Sequence, residues 1–285
     1  MNCEASQIPA ISSDASVLPR DATAHTGVLI VNADDWGRNR ETTDQTLACI
    51  LCGSVSSVSA MVFMEDSERA AAIARERGVD GGLHLNFTTP FSAPRGPMRL
   101  VEHQQRLSQH LLRHRLSQVL YHPGLRSSFE YVVAAQLEEF RRLHGAEPDR
   151  IDGHHHMHLC ANVLLAGLLP AGTIVRRNFS FRQGEKSLSN RFYRTIVDHR
   201  LAAKHRVVDL FSSLMPLDPP DRLQRIFSAA RQSVVELETH PVNPPEYRFL
   251  RGEIFDRLGN LAIAPRFALS HWRTGKEVGK PNGTS

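Results

Sequence analysis

Long apolar runs are missing from this chain. No stretch approaches the ~20 residues that a membrane-crossing helix needs, so no membrane span is expected. Cysteine is scarce too: Cys3, Cys49, Cys52 and Cys160 are the only four in 285 residues. That is no disulfide framework, and a reducing cytoplasm is the expected location. Cys49 and Cys52 form a C-x-x-C, but at the end of a helix that Gly53 stops, whereas a redox pair opens a helix. Both are expected to be small buried hydrophobes. Aromatic residues make up 7% of the chain and the net charge is only +4. The densest basic stretch, Arg106 to Arg126, carries no regularly spaced aromatics. It reads as a solvated helix face, and no nucleic-acid partner is expected. Residues 1–26 are polar and small, without the apolar centre of a secretory signal. They are expected to be a flexible leader, and 274–285 a flexible tail.

What is present is ordinary globular composition, 41% hydrophobic and 22% charged, arranged as alternating strand-like and helix-like segments. Strands are expected at Val28–Asn32, Val55–Phe63, Gly82–Phe87, Arg150–His156, Thr173–Arg177, Val207–Leu210, Val234–Glu238 and Leu261–Ala268. Helices fall between them, with Gly53, Gly78 and Gly145 as stops. Repeated βα units with short connections imply a mainly parallel sheet. Seven or eight strands favour an α/β fold of irregular (β/α) TIM-like barrel type, a single domain over 27–273. A Pro-rich and then basic stretch, about 90–127, departs from the rhythm and is expected to be an insertion beside the site.

Five strand ends carry chemistry. Asp34 and Asp35 follow the apolar run Gly27–Val31. The turn at Trp36-Gly37 is expected to bring both carboxylates to one cavity, one to bind a cation and the other to act as a base. A pair of loop or helix-capping aspartates is the plainer alternative. His84 sits in an apolar strand, where a lone imidazole is more often a satisfied core residue than a ligand; Asn86 continues the polar stripe. In Asp152-Gly153-His154-His155-His156-Met157-His158, period two would place Asp152, His154, His156 and His158 on one strand face. Four imidazoles are costly to bury without partners. One or two would bind a metal, the rest touching substrate or orienting the ligands. His240, before Pro241, is placed to be a general acid or proton carrier. Arg176, at another strand end, would pair with a carboxylate or bind a substrate oxygen.

Taken in order, Val31-Asn32-Ala33-Asp34-Asp35-Trp36-Gly37, Gly53-Ser54-Val55-Ser56-Ser57-Val58-Ser59, Gly82-Leu83-His84-Leu85-Asn86, Ile151–His158 and Glu238-Thr239-His240-Pro241 resemble the successive signatures of the YdjC-like carbohydrate deacetylase family. That family includes chitooligosaccharide (diacetylchitobiose) deacetylases and a hopanoid-biosynthesis-associated branch. The resemblance runs from about Val28 to Ala268. It implies a distorted barrel, one divalent metal ion, magnesium or zinc, and hydrolysis of an N-acetyl group on an amino sugar of a mono- or oligosaccharide. By motif, it implies Asp35, His84 and His154 as metal ligands, Asp34 as catalytic base and His240 as catalytic acid. Asp152, His156, His158, Asn86 and Arg176 would bind substrate or support the ligands. The sequence departs from the family in having Asp149-Arg150 where a Thr-His or Pro-His pair is common, and Trp36 in place of a Phe. Competing readings are a metal-dependent hydrolase of a phosphoester or non-sugar amide, and a non-catalytic sugar-binding barrel. A homodimer is an open expectation.

Overall fold

The computed structural model describes residues 27–94, 96–181, 185, 187–267 and 269. The expected leader 1–26 and tail 274–285 lie outside the described residues. Seven strands form one all-parallel sheet: β1 (Val28–Trp36), β2 (Ser57–Ala60), β3 (Gly81–Leu85), β4 (Arg150–Gly153), β5 (Ile174–Val175), β6 (Leu210–Ser213) and β7 (Val234–Thr239). Their spatial order is β5-β4-β3-β2-β1-β7-β6. Parallel pairing at every step requires crossover connections, and the intervening helices supply them. The sheet curls so that its edges approach. Between β5 and the segment leading into β6 the contact is one bridge, Ile174 with Arg206, supported by Val175 N–H donating to the Arg206 carbonyl at 2.9 Å. The result is an irregular, incompletely closed barrel.

The strands bury both faces, as a parallel sheet wrapped by helices must. All nine residues of β1 and all six of β7 are buried. Leu29, Val31 and Ala33 of β1 join Val58, Leu83, Ile151, Val175, Val235 and Leu237 in the main apolar cluster under the helices. The other face of β1 runs Val28, Ile30, Asn32, Asp34. Its first two residues belong to a second apolar cluster with Ile174, Phe211, Val234 and Phe267. The barrel interior is thus apolar at one end and charged at the end where the strands stop, where βα barrels build their sites.

Helices α1 (Arg40–Leu51), α2 (Ser67–Arg77), α3 (Met98–Arg113) and α4 (Arg126–His144) follow local rules. Asn39 caps α1 through Thr42 N–H. Gly78 and Gly145 end α2 and α4 at φ +65° and +74°, a conformation that costs glycine little. Within the expected insertion, α3 buries Leu100, Gln104, Leu107 and Leu111 at helical spacing. Gln104 and Ser108 donate to the carbonyls of Thr89 and Thr88 and so brace the loop after β3.

Two expectations are corrected. The segment Leu261–Ala268 contributes only a single bridge, Ile263 with Leu29, among its described residues and is not a strand. β4 ends at Gly153; His154–Leu159 is a 3-10 turn in which His155 and His156 have φ of +54° and +57°. Asp152, His154, His156 and His158 therefore do not share a strand face. Gly153 lies so close to the backbone of His158, about 3.0 Å from where a Cβ would stand, that the chain folds back on itself there.

Candidate metal centre and active site

β1 carries a bulge. Ala33 pairs with Val58 and Trp36 with Ala60, so β1 spends one residue more than β2 over the same rise. The extra residue falls in Asp34-Asp35, and Asp35 takes φ +66°. Neighbouring strand residues normally point to opposite faces; a bulge re-aims one of them. The two carboxylates reach one cavity by this device, before the Trp36-Gly37 turn expected to do it. Trp36 fixes the far side, its indole N–H donating to the Ala70 carbonyl at 3.2 Å.

Asp35 Oδ1 lies 2.9 Å from His154 Nδ1 and 3.4 Å from His84 Nε2, with hydrogen-bond geometry to neither. Asp35, His84 and His154 each present a ligand atom within 4.8 Å of the others, and all three residues are buried. Asp35 Oδ1, His84 Nε2 and His154 Nε2 are buried without a hydrogen-bond partner. Buried polar atoms are rarely left so, and one carboxylate plus two imidazoles is a common set for a divalent cation. The residues present fit such an ion. His84 Nδ1 meets Asp152 Oδ1 at 2.7 Å, the pairing that orients a metal-binding imidazole. Asp152 Oδ2 in turn accepts from Ser59 at 2.5 Å.

Burial works against charge on His84, but Asp34 and Asp152 overcome it and carry its pKa up to about 10. A cation binding at Nε2 must displace that proton, so uptake releases it to solvent. Burial also opposes charge on Asp35, yet the His154 and His84 rings hold its carboxyl well below the usual range. Arg38, half-exposed, pairs with its other oxygen at 2.9 Å.

Arg176 is the hub behind these ligands. Its side chain is 1% exposed. It donates to both oxygens of Asp34 at 2.7 Å and to Glu236 Oε1 at 2.7 Å, and it pairs with Asp152 Oδ2 at 2.9 Å. Asn32 also donates to Asp34 Oδ1, at 2.9 Å. Burial would raise the Asp34 pKa; Arg176 and His84 outweigh it and lower it. His158 Nε2 contacts the Arg176 carbonyl at 3.0 Å and holds the arginine from behind.

Glu236 is different. Burial lifts its pKa to about 6 against the pull of Arg176. A folded pKa above the unfolded value stabilises below the unfolded pKa, and that stability is lost as pH rises through the folded one. Glu236→Gln, which cannot ionise, is expected to lack this term. Across about pH 4.5 to 6.5 the wild type should therefore lose stability relative to Glu236→Gln, by about 2 kcal/mol. Paired denaturant titrations of the metal-free proteins check this; a difference constant across that range contradicts it.

The other sequence-selected residues fall as follows. His240, at the end of β7, gathers with Asp34 and Glu238 within 4.8 Å. Its backbone N–H and the Thr239 hydroxyl both bond Glu246 Oε2, at 2.8 and 2.7 Å. His156 turns its Nε2 toward Glu238 Oε2 at 3.6 Å and packs edge-on against Phe179. Asn86 spends its side-chain oxygen on the N–H groups of Thr88 and Thr89 and its amide on the Thr89 carbonyl; it shapes the loop, which meets His155 through Thr88 at 3.0 Å. A trio of Asp34, His84 and Asp152 is also close, but both oxygens of Asp152 are already engaged, by His84 Nδ1 and by Ser59 and Arg176. Glu236 and Glu238 were not singled out from the sequence. Two glutamates at period two in an otherwise apolar strand, Val234-Val235-Glu236-Leu237-Glu238, were the available signal.

The YdjC-like protein family profile matches residues 28–253, from the first residue of β1 to beyond His240. The chain belongs to the YdjC-like family. Among similar proteins, a carbohydrate deacetylase of Mus musculus is 33% identical over 152 residues, 47% of this chain and 44% of that one. A chitooligosaccharide deacetylase of Proteus mirabilis is 33% identical over 132 residues, 46% of this chain and 50% of that one. In these two matches the chain spans about half the relative's length. A chitooligosaccharide deacetylase of Yersinia pestis is 29% identical over 245 residues, covering 83% of this chain and 90% of that one. A solved structure from Enterococcus faecalis, named for cellobiose-phosphate cleavage, superposes with a TM-score of 0.57 at 18% identity. It covers 84% of this chain and 97% of that one, a likeness of fold. Among the described residues, no helix is long and apolar enough to cross a membrane.

Proposed function

We propose that this protein is a divalent-cation-dependent hydrolase that removes an N-acetyl group from an amino-sugar-containing carbohydrate. The observation that carries this is the buried trio Asp35, His84 and His154, each with a ligand atom within 4.8 Å of the others, with Asp34 next to it in the chain and half-buried His240 within the same distance of Asp34. Several relatives named carbohydrate or chitooligosaccharide deacetylase support the substrate class.

Asp35, His84 and His154 would hold the ion, which when bound supplies a Lewis acid for the acetamide carbonyl and lowers the pKa of water from 15.7 toward about 7. The imidazole-rich set suits zinc or another transition metal at least as well as magnesium. Asp34 is kept anionic chiefly by Arg176, with His84 adding to it, so it is ready to take the proton of the attacking water. His240, anchored at its backbone by Glu246, gives a proton to the departing amine as the C–N bond breaks. Water is consumed; acetate and the amino sugar leave.

Phosphoester hydrolysis is the weaker reading. It calls for cationic side chains free to bind phosphate, yet Arg176 is saturated by carboxylates and Arg177 pairs with Asp198 at 2.7 Å. The test measures acetate and phosphate release across N-acetylated and phosphorylated mono- and oligosaccharides. Acetate release that disappears on exhaustive chelation and returns with metal is expected; full activity after chelation defeats the reading. Asp34→Asn should lower kcat by about 10²–10⁴-fold while the cation stays bound and KM changes little. A variant with wild-type kcat would remove Asp34 from its role.

A further inference from the structure

Glu238 is left over from the site just described. It is 5% exposed, and its Oε2 has no hydrogen-bond partner. Its two oxygens face two imidazoles at distances too long for hydrogen bonds, His240 Nε2 at 3.7 Å and His156 Nε2 at 3.6 Å. Asp34, Glu238 and His240 can each direct one ligand atom to a common point, all within 4.8 Å of one another. Of the buried carboxylates Asp34, Asp35, Asp152, Glu236 and Glu238, the first four pair with Arg176 or Arg38, whereas Glu238 faces only imidazoles.

We propose that Asp34, Glu238 and His240 form a second divalent-cation site beside the Asp35–His84–His154 trio, and that filling it inhibits the protein. His156 stands close enough to contribute a fourth ligand after a small ring movement. Asp34 keeps capacity for an ion: a carboxylate has about four acceptor positions, and Arg176 and Asn32 use three of them. Two carboxylates and one or two imidazoles favour zinc or manganese over magnesium. The inhibitory consequence rests on the deacetylase reading, because an ion there would occupy the base and the acid together; binding itself does not. The site is expected to be the weaker of the two, since Arg176 lies next to it.

The test titrates the chelator-stripped full chain with zinc, measuring bound metal by equilibrium dialysis and acetate release in parallel. Two equivalents are expected, the second weaker, with activity rising on the first and falling on the second. Glu238→Gln should weaken only the second equivalent, by roughly a hundredfold or more. His84→Ala should weaken the first and leave the second. Circular dichroism and thermal melting establish that each variant is folded; if Glu238→Gln is not, His240→Asn, which should also lose the second equivalent, decides. A wild type that saturates at one equivalent overturns the proposal. So does a second equivalent that survives in folded Glu238→Gln or His240→Asn. If no acetate appears at any zinc concentration the deacetylase reading fails, while the stoichiometry still answers for the site.

Discussion

His154→Ala is expected to lose its divalent cation and to lose acetate release with it, lowering kcat/KM by about three orders of magnitude or more. The magnitude follows from the several kcal/mol of charge stabilisation that such an ion provides, at about 1.4 kcal/mol for each factor of ten. The fold should survive. His154 stands in a turn after β4, 5% exposed, and its Nε2 makes no hydrogen bond; alanine there breaks no strand pairing. Metal content after dialysis, read beside acetate release and thermal melting, separates a lost ion from a lost fold. A metal-free His154→Ala protein with wild-type turnover would refute the assignment. One that retains the ion would move the site elsewhere.

Arg176→Met is expected to damage stability and activity together. It removes a cation whose contacts to Asp34, Asp152 and Glu236 measure 2.7 to 2.9 Å, and all four side chains are buried. Breaking a buried ion pair from one side costs roughly 3–5 kcal/mol, a fall in melting temperature of about 10 °C for a chain of this size. The pH dependence gives the sharper test. In the wild type the lowered pKa values of Asp34 and Asp152 provide stability above the unfolded pKa that is lost as pH falls through the folded values. Without the arginine these carboxyls rise, so the variant is best preserved at low pH and loses ground as pH increases. The gap in melting temperature should therefore be wider at pH 8 than at pH 5. Arg176→Lys should fall between, because one ammonium cannot bridge three carboxylates. A gap that narrows toward pH 8 would show that Arg176 does not stabilise these anions.

The barrel was legible because its signals are local and repeated: apolar runs of strand length, helices stopped by Gly78 and Gly145, and short connections. The paired aspartates, His84 and the histidine run were legible for a related reason. Polar groups in buried strands and turns need partners, although the period-two pattern put the histidines on a strand face that the turn after Gly153 replaces. What sequence did not reveal was backbone irregularity. The β1 bulge depends on the register against β2, and the fold-back after Gly153 depends on a close approach to His158; neither leaves a periodic trace. That Arg176 pairs with a carboxylate was legible from its place at a strand end; that it joins three was not, because they come from β1, β4 and β7, far apart in the chain.

The pairing of β1 with β7, Val28 opposite Val234 through Ala33 opposite Thr239, joins segments about two hundred residues apart at the centre of the sheet, and such distant contacts are slow to form. During synthesis on the ribosome, Asp34 and Asp35 therefore emerge on a strand with one open edge, and wait for nearly the whole chain before their cavity has a second wall. A nascent chain stopped short of Glu238 would carry the ligand trio but neither Glu238 nor His240, and so would have the residues for an ion without those for a complete turnover.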